Sequence, residues 1–354
     1  MAERMTGRER TETVLRGGIP DRVPVDLHNF MVTAQDSGRP FPAFLQDGEA
    51  MADGQIRAWR EYGHDVLLLE NGTAALAEAL GCQVEYMEGS APVCHGPAIT
   101  SLDDLDRLRV PDPSTAHPLK ENLKATRIVS REIGDRAFII GRADQGPFSL
   151  AAMILGMEEF LLALALASAA PDDALTVKLH RLLEFSLAVT TRYAYAQIEA
   201  GAHMTSIGES IAGPDVCSPQ AYRAFEWDYA RRMAEGLRSS GIRLAYHICG
   251  NATKIVEDMV ATGAAVLELD YKVDMPTVKA ATQGRATVLG PIDPSAVMAL
   301  GTPDDVRDAA RQAIDILGVG GGLILGPGCA LPPATPPDNI HALIEAARTY
   351  GSYR

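Results

Sequence analysis

Cysteine is scarce in this sequence, and its scarcity excludes one class of fold. The five cysteines of the 354-residue chain are Cys82, Cys94, Cys217, Cys249 and Cys329. They are too few and too widely spaced for a disulfide framework. Residues 1–10 are charged and contain no apolar core of the kind that a secretory signal needs. We therefore expect a protein of the reducing cytoplasm.

Basic clusters and uninterrupted apolar segments are also missing. The formal net charge is −14, and no run of Lys and Arg offers the positive surface that nucleic acid requires. The most apolar segment, residues 148–170, carries Glu158 and Glu159 near its centre, which argues against a membrane span. Hydrophobic residues make up 47% of the chain, enough for a large buried core.

Short apolar runs alternate with segments that carry helix start and stop signals. Eight such runs occur, at residues 23–27, 66–69, 138–141, 204–207, 244–248, 266–269, 287–290 and 323–326. Strands that alternate with helices pair in parallel through right-handed crossovers. Eight units of this kind predict a (β/α)8 TIM barrel. An open, doubly wound sheet would give a similar pattern, but its glycine-rich fingerprint is absent.

We expect one domain over residues 1–354 with two additions to the barrel. The first is a helical N-terminal segment at residues 1–20, where Thr6 and Glu9 have the spacing of a capping box and the helix ends near Gly17. The second is an insertion at residues 71–137, between the second and third strands. Within it, residues 83–86 and 98–99 are expected to form a small hairpin.

Polar residues follow most of the apolar runs, at the ends where a barrel carries its active site. These residues are Asp26, His28, Glu70, Asn71, Asp144, Gln145, Glu209, His247, Cys249, Asp270, Asp293 and Cys329. Such a set is suited to binding a metal and a polar substrate.

Three of these residues are soft metal ligands. His247 and Cys249 are one residue apart, so in a strand their side chains leave the same face. Cys329 follows the eighth run, after a glycine-rich stretch. Three N and S ligands with one open position are typical of a catalytic zinc. The alternative is that the cysteines are small core residues and His247 is a buried, hydrogen-bonded histidine. Cys82, Cys94 and Cys217 fit such a core role, since none has a second ligand nearby in the predicted fold.

The motifs of this chain resemble those of the uroporphyrinogen decarboxylase superfamily. They are His247-x-Cys249-Gly250-Asn251, the stretch at residues 320–329 and the stretch at residues 144–151. The His-x-Cys pair with a distant Cys is more similar to the zinc-dependent corrinoid methyltransferase branch. The likeness covers residues 8–347.

This resemblance implies a zinc ion held by His247, Cys249 and Cys329. It also implies that a methyl group moves between a substrate heteroatom and the cobalt of a corrinoid on a separate protein. No cobalamin-binding Asp-x-His-x-x-Gly signature is present, so the corrinoid would arrive on a partner. The decarboxylases carry an arginine-rich segment near the N-terminus. Here no Arg lies between Arg22 and Arg39, which counts against porphyrinogen decarboxylation.

Supporting roles are predicted for five further residues. Glu209 is a candidate catalytic residue, as a fourth ligand or proton acceptor, with helix capping as the alternative. Asp144 and Gln145 are candidates for orienting substrate, although Asp144 is equally suited to capping the helix near Ser149. His28 and Asn71 are candidates for cofactor binding. Asp270 and Asp293 are expected to be structural turn residues.

Two other functions remain open from the sequence. One is a metal-free decarboxylase of the uroporphyrinogen type, and the other is a non-catalytic module that binds metal or corrinoid. For a methyltransferase, neither the direction nor the substrate is fixed: methoxylated aromatics (O-demethylation), methylamines, methanol, chloromethane, coenzyme M, homocysteine and tetrahydrofolate all fit. A homodimer is possible, as many barrels pair.

Overall fold

The computed structural model describes residues 4–170 and 173–353. Nine strands are present in these residues: β1 Val66–Leu69, β2 Gln83–Glu85, β3 Val93–Gly96, β4 Phe138–Gln145, β5 Met204–Gly208, β6 Leu244–Ile248, β7 Val266–Leu269, β8 Thr287–Ile292 and β9 Leu323–Pro327. All strands except β2 and β3 form one parallel sheet in the order β1-β4-β5-β6-β7-β8-β9.

The first predicted strand closes this sheet into a barrel. Residues 23–27 do not form a continuous ladder, but Val25 bridges in parallel to Leu325 of β9 and Asp26 bridges to Val66 of β1. The amide of Asp26 donates to the Leu325 carbonyl at 2.9 Å, and the amide of Val66 donates to the Val25 carbonyl at 3.0 Å. The predicted (β/α)8 barrel is therefore confirmed, with an irregular first strand.

Helices surround the barrel and lie in the segments that connect its strands. In the described residues they are α1 Gly7–Leu15, α2 Phe30–Asp36, α3 Phe41–Leu45, α4 Gly48–Tyr62, α5 Ala75–Ala79, α6 Leu119–Ile133, α7 Pro147–Leu155, α8 Met157–Ala169, α9 Ala174–Glu199, α10 Pro219–Phe225, α11 Trp227–Ser239, α12 Val256–Ala261, α13 Met275–Thr282, α14 Pro303–Leu317 and α15 Pro337–Tyr350. Two 3-10 turns, Leu102–Arg107 and Ala252–Ile255, and a π-helical turn, Pro294–Ala299, complete the set. The predicted capping box is present, since Thr6 accepts from the Glu9 amide and Glu9 accepts from the Thr6 amide.

The hairpin of the insertion differs from the prediction. β2 pairs in antiparallel fashion with β3, at Val93–Gly96, and residues 98–99 lie beyond the hairpin. The amides of Ala98 and Ile99 both donate to the Ile154 carbonyl of α7. The predicted partner strand was wrong because the Val-Cys-His-Gly segment of β3 alternates apolar and polar residues too weakly to mark it as a strand.

No single helix among the described residues is long and apolar enough to cross a membrane. The consecutive helices α7 and α8 reach that length and composition only together, and they meet at a bend of 116°.

The barrel interior is apolar in its lower part and charged above. Alternate strand residues point inward, and the inward set forms one cluster: Val66, Leu68, Phe138, Ile140, Met204, Ala245, Val266, Leu289 and Ile324. Continuing the same alternation toward the carboxyl ends leads to Glu70, Arg142, His247 and Glu268, all at most 7% exposed. The apolar cluster thus closes the base of the barrel, and the polar residues sit above it.

Asp65 ties the N-terminal helix to the opposite end of the barrel. This residue precedes β1 and is 2% exposed. It forms ion pairs with Arg10 of α1 and with Arg22, whose Nη1 lies 2.6 Å from Asp65 Oδ2. The Val25 amide donates to the same oxygen at 2.8 Å. One carboxylate therefore joins α1, the irregular first strand and β1.

We predict that Asp65→Ala strongly destabilises the fold, because two buried guanidinium groups lose their common partner. Removal of one member of a buried ion pair costs about 3–5 kcal/mol. Asp53→Ala is the matched control, since Asp53 pairs with Arg57 at a site where both side chains are more than half exposed, and such pairs contribute about 0–1 kcal/mol. Chemical denaturation measures both. Equal losses of unfolding free energy would contradict this role for Asp65.

Candidate metal centre

His247, Cys249 and Cys329 converge at the carboxyl end of the barrel. One nitrogen of His247 and the two sulfur atoms all lie within 4.8 Å of one another. His247 Nε2 is 3.0 Å from Cys249 Sγ, because alternate residues of β6 and its extension share a face. Cys329 reaches them from the loop after β9, across the barrel mouth.

The imidazole of His247 is oriented for metal binding. Its Nδ1 lies 3.0 Å from the main-chain carbonyl of Glu268 on the neighbouring strand β7. A carbonyl can only accept, so Nδ1 carries the hydrogen and the lone pair of Nε2 faces the two sulfur atoms. A backbone or carboxylate acceptor on the second ring nitrogen is the usual support of a histidine ligand.

The donor set fits a zinc ion. Zn–S bonds of about 2.3 Å and Zn–N bonds of about 2.0–2.1 Å in a tetrahedral site place sulfur and nitrogen ligands roughly 3.5–3.8 Å apart. The three donors already lie within 4.8 Å of one another, so small side-chain movements suffice. Two thiolates and one imidazole leave the fourth position free for a substrate.

The two thiols are electrostatically unequal. The hydrogen bond from Cys329 lowers the pKa of Cys249, while the same contact together with burial raises the pKa of Cys329 to about 12. A second hydrogen bond, from Ser210, also lowers the pKa of Cys249. Burial opposes protonation of His247, but the neighbouring Glu268 carboxylate and Cys329 still raise the pKa of His247. Cys249 is therefore the more acidic of the two thiols.

A buried charged layer lies beneath these ligands. Arg142 Nε is 3.0 Å from Glu70 Oε2, and Arg142 Nη2 is 3.0 Å from Glu268 Oε2. His28 bridges the same two carboxylates, with Nε2 3.0 Å from Glu70 and Nδ1 3.1 Å from Glu268. Burial acts against a charged His28, yet the two carboxylates raise its pKa well above the usual value. Two cations thus balance two anions.

Arg142 and Glu268 were missed by the sequence analysis, which considered polar residues only after the strands. Both lie within strands at inward positions, Glu268 as the single charged residue of β7 and Arg142 two residues before Asp144 in β4. A charged residue on the inward face of a strand was the available signal. His28, predicted to bind cofactor, is placed in this layer with a left-handed backbone (φ 44°).

Several polar atoms of the layer have no partner among the residues that the structure describes. They are Arg142 Nη1, Asp144 Oδ1 and both carboxylate oxygens of Asp26. A Cβ atom at Gly208 would lie 3.8 Å from Arg142 Nη1 and 3.6 Å from Gln145 Oε1. The guanidinium nitrogen therefore faces the end of β5. Gly208 is the register partner of His247, so this donor lies near the metal centre.

Glu209 accepts hydrogen bonds from main-chain amides at the start of α7. Its two oxygens accept hydrogen bonds from the amides of Phe148 at 2.9 Å and Ser149 at 2.7 Å, and the side chain is fully buried. A Cβ atom at Gly146 would lie 2.2 Å from Glu209 Oε1, so only glycine permits this approach. This placement favours the capping role over that of a fourth ligand or proton acceptor.

Gln145 and Asp144 lie at the end of β4. Gln145 Nε2 is 3.1 Å from Ser210 Oγ, and Ser210 contacts Cys249, so Gln145 is two contacts from the metal ligands. Asp144 accepts from the Leu76 amide of α5 through Oδ2, with a left-handed backbone (φ 66°). It therefore caps α5 rather than the helix near Ser149, and its Oδ1 stays free.

The other candidates have structural contacts. Asn71 Nδ2 is 3.4 Å from the Leu45 carbonyl. Asp270 accepts from the amides of Gly250 and Lys272, and Asp293 accepts from those of Ser295 and Ala296. The expectation that Asp270 and Asp293 are turn residues agrees with these bonds.

Comparison with known proteins gives the family. The sequence profile described as uroporphyrinogen decarboxylase (URO-D) matches residues 6–350. The chain belongs to the uroporphyrinogen decarboxylase family. Its relatives in this family are enzymes, and so is this protein. The resemblance that the motifs indicated is confirmed.

Relatives of both kinds align over nearly the whole chain. The chain is 27% identical to the methylcobamide:CoM methyltransferase MtbA of Methanosarcina acetivorans, over 98% of both sequences. It is 27% identical to the uroporphyrinogen decarboxylase of Nostoc punctiforme, over 94% of both. Among solved structures, a methyltransferase from Methanosarcina mazei superposes with a TM-score of 0.85 at 25% identity, over 97% of this chain and 98% of that one.

We predict about one zinc ion per chain, in line with one three-ligand site. Cys249→Ala and Cys329→Ala should each remove it, because two ligands cannot replace three. Cys217→Ala is the control, since this buried thiol lies 3.7 Å from the Ala212 carbonyl and 3.4 Å from the Ser218 carbonyl and is not part of the three-ligand group. Metal analysis of the purified proteins gives the content. Retention of zinc at the level of the unmodified protein in both ligand variants would refute the site.

We also predict that Asp26 makes stability depend on pH. Burial, opposed by His28 and reinforced by Glu268, raises the pKa of Asp26 from 3.8 to about 7. Between these values the folded state holds a proton that the unfolded state has released, so unfolding free energy falls as pH rises. Asp26→Asn removes this contribution. The unfolding free energy of the unmodified protein minus that of Asp26→Asn should fall by up to about 1.4 kcal/mol for each unit that the pH rises. Urea unfolding from about pH 4 to about pH 7 measures the difference, and parallel pH profiles would contradict it.

Proposed function

We propose that this enzyme transfers a methyl group between the cobalt of a corrinoid carried on a separate protein and a substrate heteroatom, with a thiol as the acceptor. The observation that carries the proposal is the convergence of His247, Cys249 and Cys329 within 4.8 Å. These residues would hold the zinc ion. When bound, zinc acts as a Lewis acid that favours the thiolate form of a substrate thiol or polarises a methoxy leaving group.

The surrounding residues are assigned roles by their contacts. Glu268 orients His247 through its carbonyl and balances Arg142 through its carboxylate. Arg142 Nη1, buried and facing the end of β5, donates to a polar group on the substrate. Such a donor discriminates strongly between substrates, because a substrate that lacks a matching acceptor leaves the buried donor unpaired.

Asp144 is the proton acceptor in this proposal. A thiol must lose its proton before it attacks a methyl group, and Glu209 is occupied by helix amides. Asp144 has a free Oδ1 at the end of β4, and burial, partly offset by amides of Leu76 and Gln145, raises its pKa to about 7. A carboxyl group with this pKa exchanges protons efficiently near neutral pH.

The names of the relatives support the choice of reaction. Two of them, MtbA and MtaA, are named methylcobamide:CoM methyltransferases, which makes a thiol the first acceptor to test. The reverse direction, from a methoxy or amine donor to cobalt, requires the same ligands and is the second case to test.

Porphyrinogen decarboxylation is the competing function, because a relative with that name has the same 27% identity to this chain, over 94% of both sequences. Residues 23–38 contain no arginine, so the carboxylates of a porphyrinogen lack the basic segment that the sequence resemblance associates with their binding. Arg142 and His28 in the barrel are offset by Glu70 and Glu268, so the charged layer has no excess positive charge for the several carboxylates of a porphyrinogen.

The proposed reaction can be tested with the purified zinc-loaded protein. We expect it to transfer the methyl group of methylcob(III)alamin to at least one of several thiols, among them coenzyme M and homocysteine, with loss of the methylcobalt absorbance. Cys249→Ala and Cys329→Ala should lower kcat/KM by at least about 100-fold, the effect of losing electrostatic stabilisation at a reacting group. Cys217→Ala should remain active.

Two results would contradict the proposal. The first is carbon dioxide release from uroporphyrinogen that is unaffected by Cys249→Ala. The second is the absence of methyl transfer in both directions, with thiols as acceptors and with methoxylated aromatics and methylamines as donors to cob(I)alamin.

A further inference from the structure

The turn that carries Cys249 lies just beyond the end of strand β6. The last residue of β6, Ile248, pairs with Leu269, the last residue of β7. Extending this register by one residue places Cys249 beside Asp270. The ladder of pairs between the two strands therefore ends one residue before the metal ligand, and the turn needs another support if the sulfur is to stay close to His247.

The side chain of Asp270 continues the contact between the two segments. Its Oδ2 accepts a hydrogen bond from the Gly250 amide at 2.8 Å, and its Oδ1 accepts one from the Lys272 amide at 3.2 Å. Hydrogen bonds to a carboxylate are roughly twice as strong as those between neutral groups, and Asp270 is only 8% exposed. The peptide group that follows Cys249 is thus held against the end of β7.

The other side of the turn contacts the loop after β5. The Asn251 amide donates to Asp215 Oδ2 at 3.2 Å. A Cβ atom at Gly250 would lie 2.3 Å from the same oxygen, and Gly250 has a left-handed backbone (φ 80°), which glycine adopts without steric cost. The side chain of Asp215 is 47% exposed and its bond is longer, so the buried Asp270 is the stronger of the two supports.

We propose that Asp270 is a positioning residue for the metal centre, which holds the turn so that the sulfur of Cys249 faces His247 and Cys329 before an ion binds. The role rests on the proposed zinc site and adds to it a side chain that is not one of the ligands. Residues that support a metal ligand in this way typically change metal affinity by about 10- to 100-fold when they are mutated.

Asp293 provides the matched control. It follows strand β8 as Asp270 follows β7, and its Oδ1 accepts from the amides of Ser295 at 2.8 Å and Ala296 at 2.9 Å. Neither of these amides lies beside a residue of the three-ligand group. Removal of either carboxylate deprives two turn amides of their acceptor, but only removal of Asp270 loosens the turn that carries Cys249.

The test measures zinc affinity, not methyl transfer. Competition with a chromophoric chelator gives the dissociation constant of zinc for the full-length protein and its variants. We expect Asp270→Ala to raise this constant by about 10- to 100-fold and Asp293→Ala to leave it unchanged. Circular dichroism verifies that both variants are folded.

Substitution by asparagine gives a second comparison, which decides the question if Asp270→Ala fails to fold. The two amides at Asp270 bond to different oxygens, so Asp270→Asn loses one acceptor as well as the charge. The two amides at Asp293 bond to one oxygen, which Asp293→Asn retains. We therefore expect weaker zinc binding in Asp270→Asn than in the unmodified protein, and no change in Asp293→Asn.

Cobalt(II) in place of zinc gives a readout that a loss of stability alone would not change. In Asp270→Ala saturated with cobalt(II), the thiolate-to-cobalt absorption should weaken, because Cys249 is no longer directed at the ion. Absence of zinc from the unmodified protein would refute the metal centre itself. If the unmodified protein binds zinc, equal dissociation constants for the Asp270 variants and the matching Asp293 variants would show that Asp270 is only a turn residue.

Discussion

The hydrogen bond between His247 Nδ1 and the Glu268 carbonyl is the contact on which the candidate metal centre depends. It joins neighbouring strands β6 and β7 at 3.0 Å and directs Nε2 toward Cys249. The parallel ladder fixes this contact, since His247 and Glu268 are register partners. The backbone of the barrel, rather than a flexible loop, therefore orients the histidine, and Cys329 completes the set from the opposite side of the mouth. A site supported on strands can hold ligands in place before an ion arrives.

The charged layer under the site is stable because its charges are balanced. Burial of an isolated ion costs many kcal/mol, so buried charges persist only when they are paired and hydrogen-bonded. Arg142 and His28 each contact both Glu70 and Glu268. Below them, inward side chains of the strands form an apolar cluster. This order of layers separates the base of the barrel, which stabilises the fold, from the mouth, which holds the candidate metal centre.

Much of the fold follows from sequence patterns, and part of the site does not. The eight apolar runs identify the strands, because each strand is buried between the surrounding helices and the barrel interior and therefore consists mainly of apolar residues. The His-x-Cys spacing places two ligands on one face, and the glycine-rich stretch before Cys329 indicates the third. Arg142 and Glu268 are marked in the sequence only as charges on inward strand faces, and their pairing arises from contact across the barrel. The role of Glu209 likewise depends on its contact with the amides at the start of α7, which only the three-dimensional structure reveals.

We propose that two sulfur atoms and one imidazole nitrogen of this chain, from Cys249, Cys329 and His247, bind a single zinc ion. X-ray absorption at the zinc edge of the purified protein tests it most directly. We predict a first shell with two sulfur neighbours at about 2.3 Å and nitrogen or oxygen neighbours at about 2.0–2.1 Å, with the outer-shell signal of one imidazole. A first shell without sulfur, or one that is unchanged in Cys329→Ala, would contradict the claim.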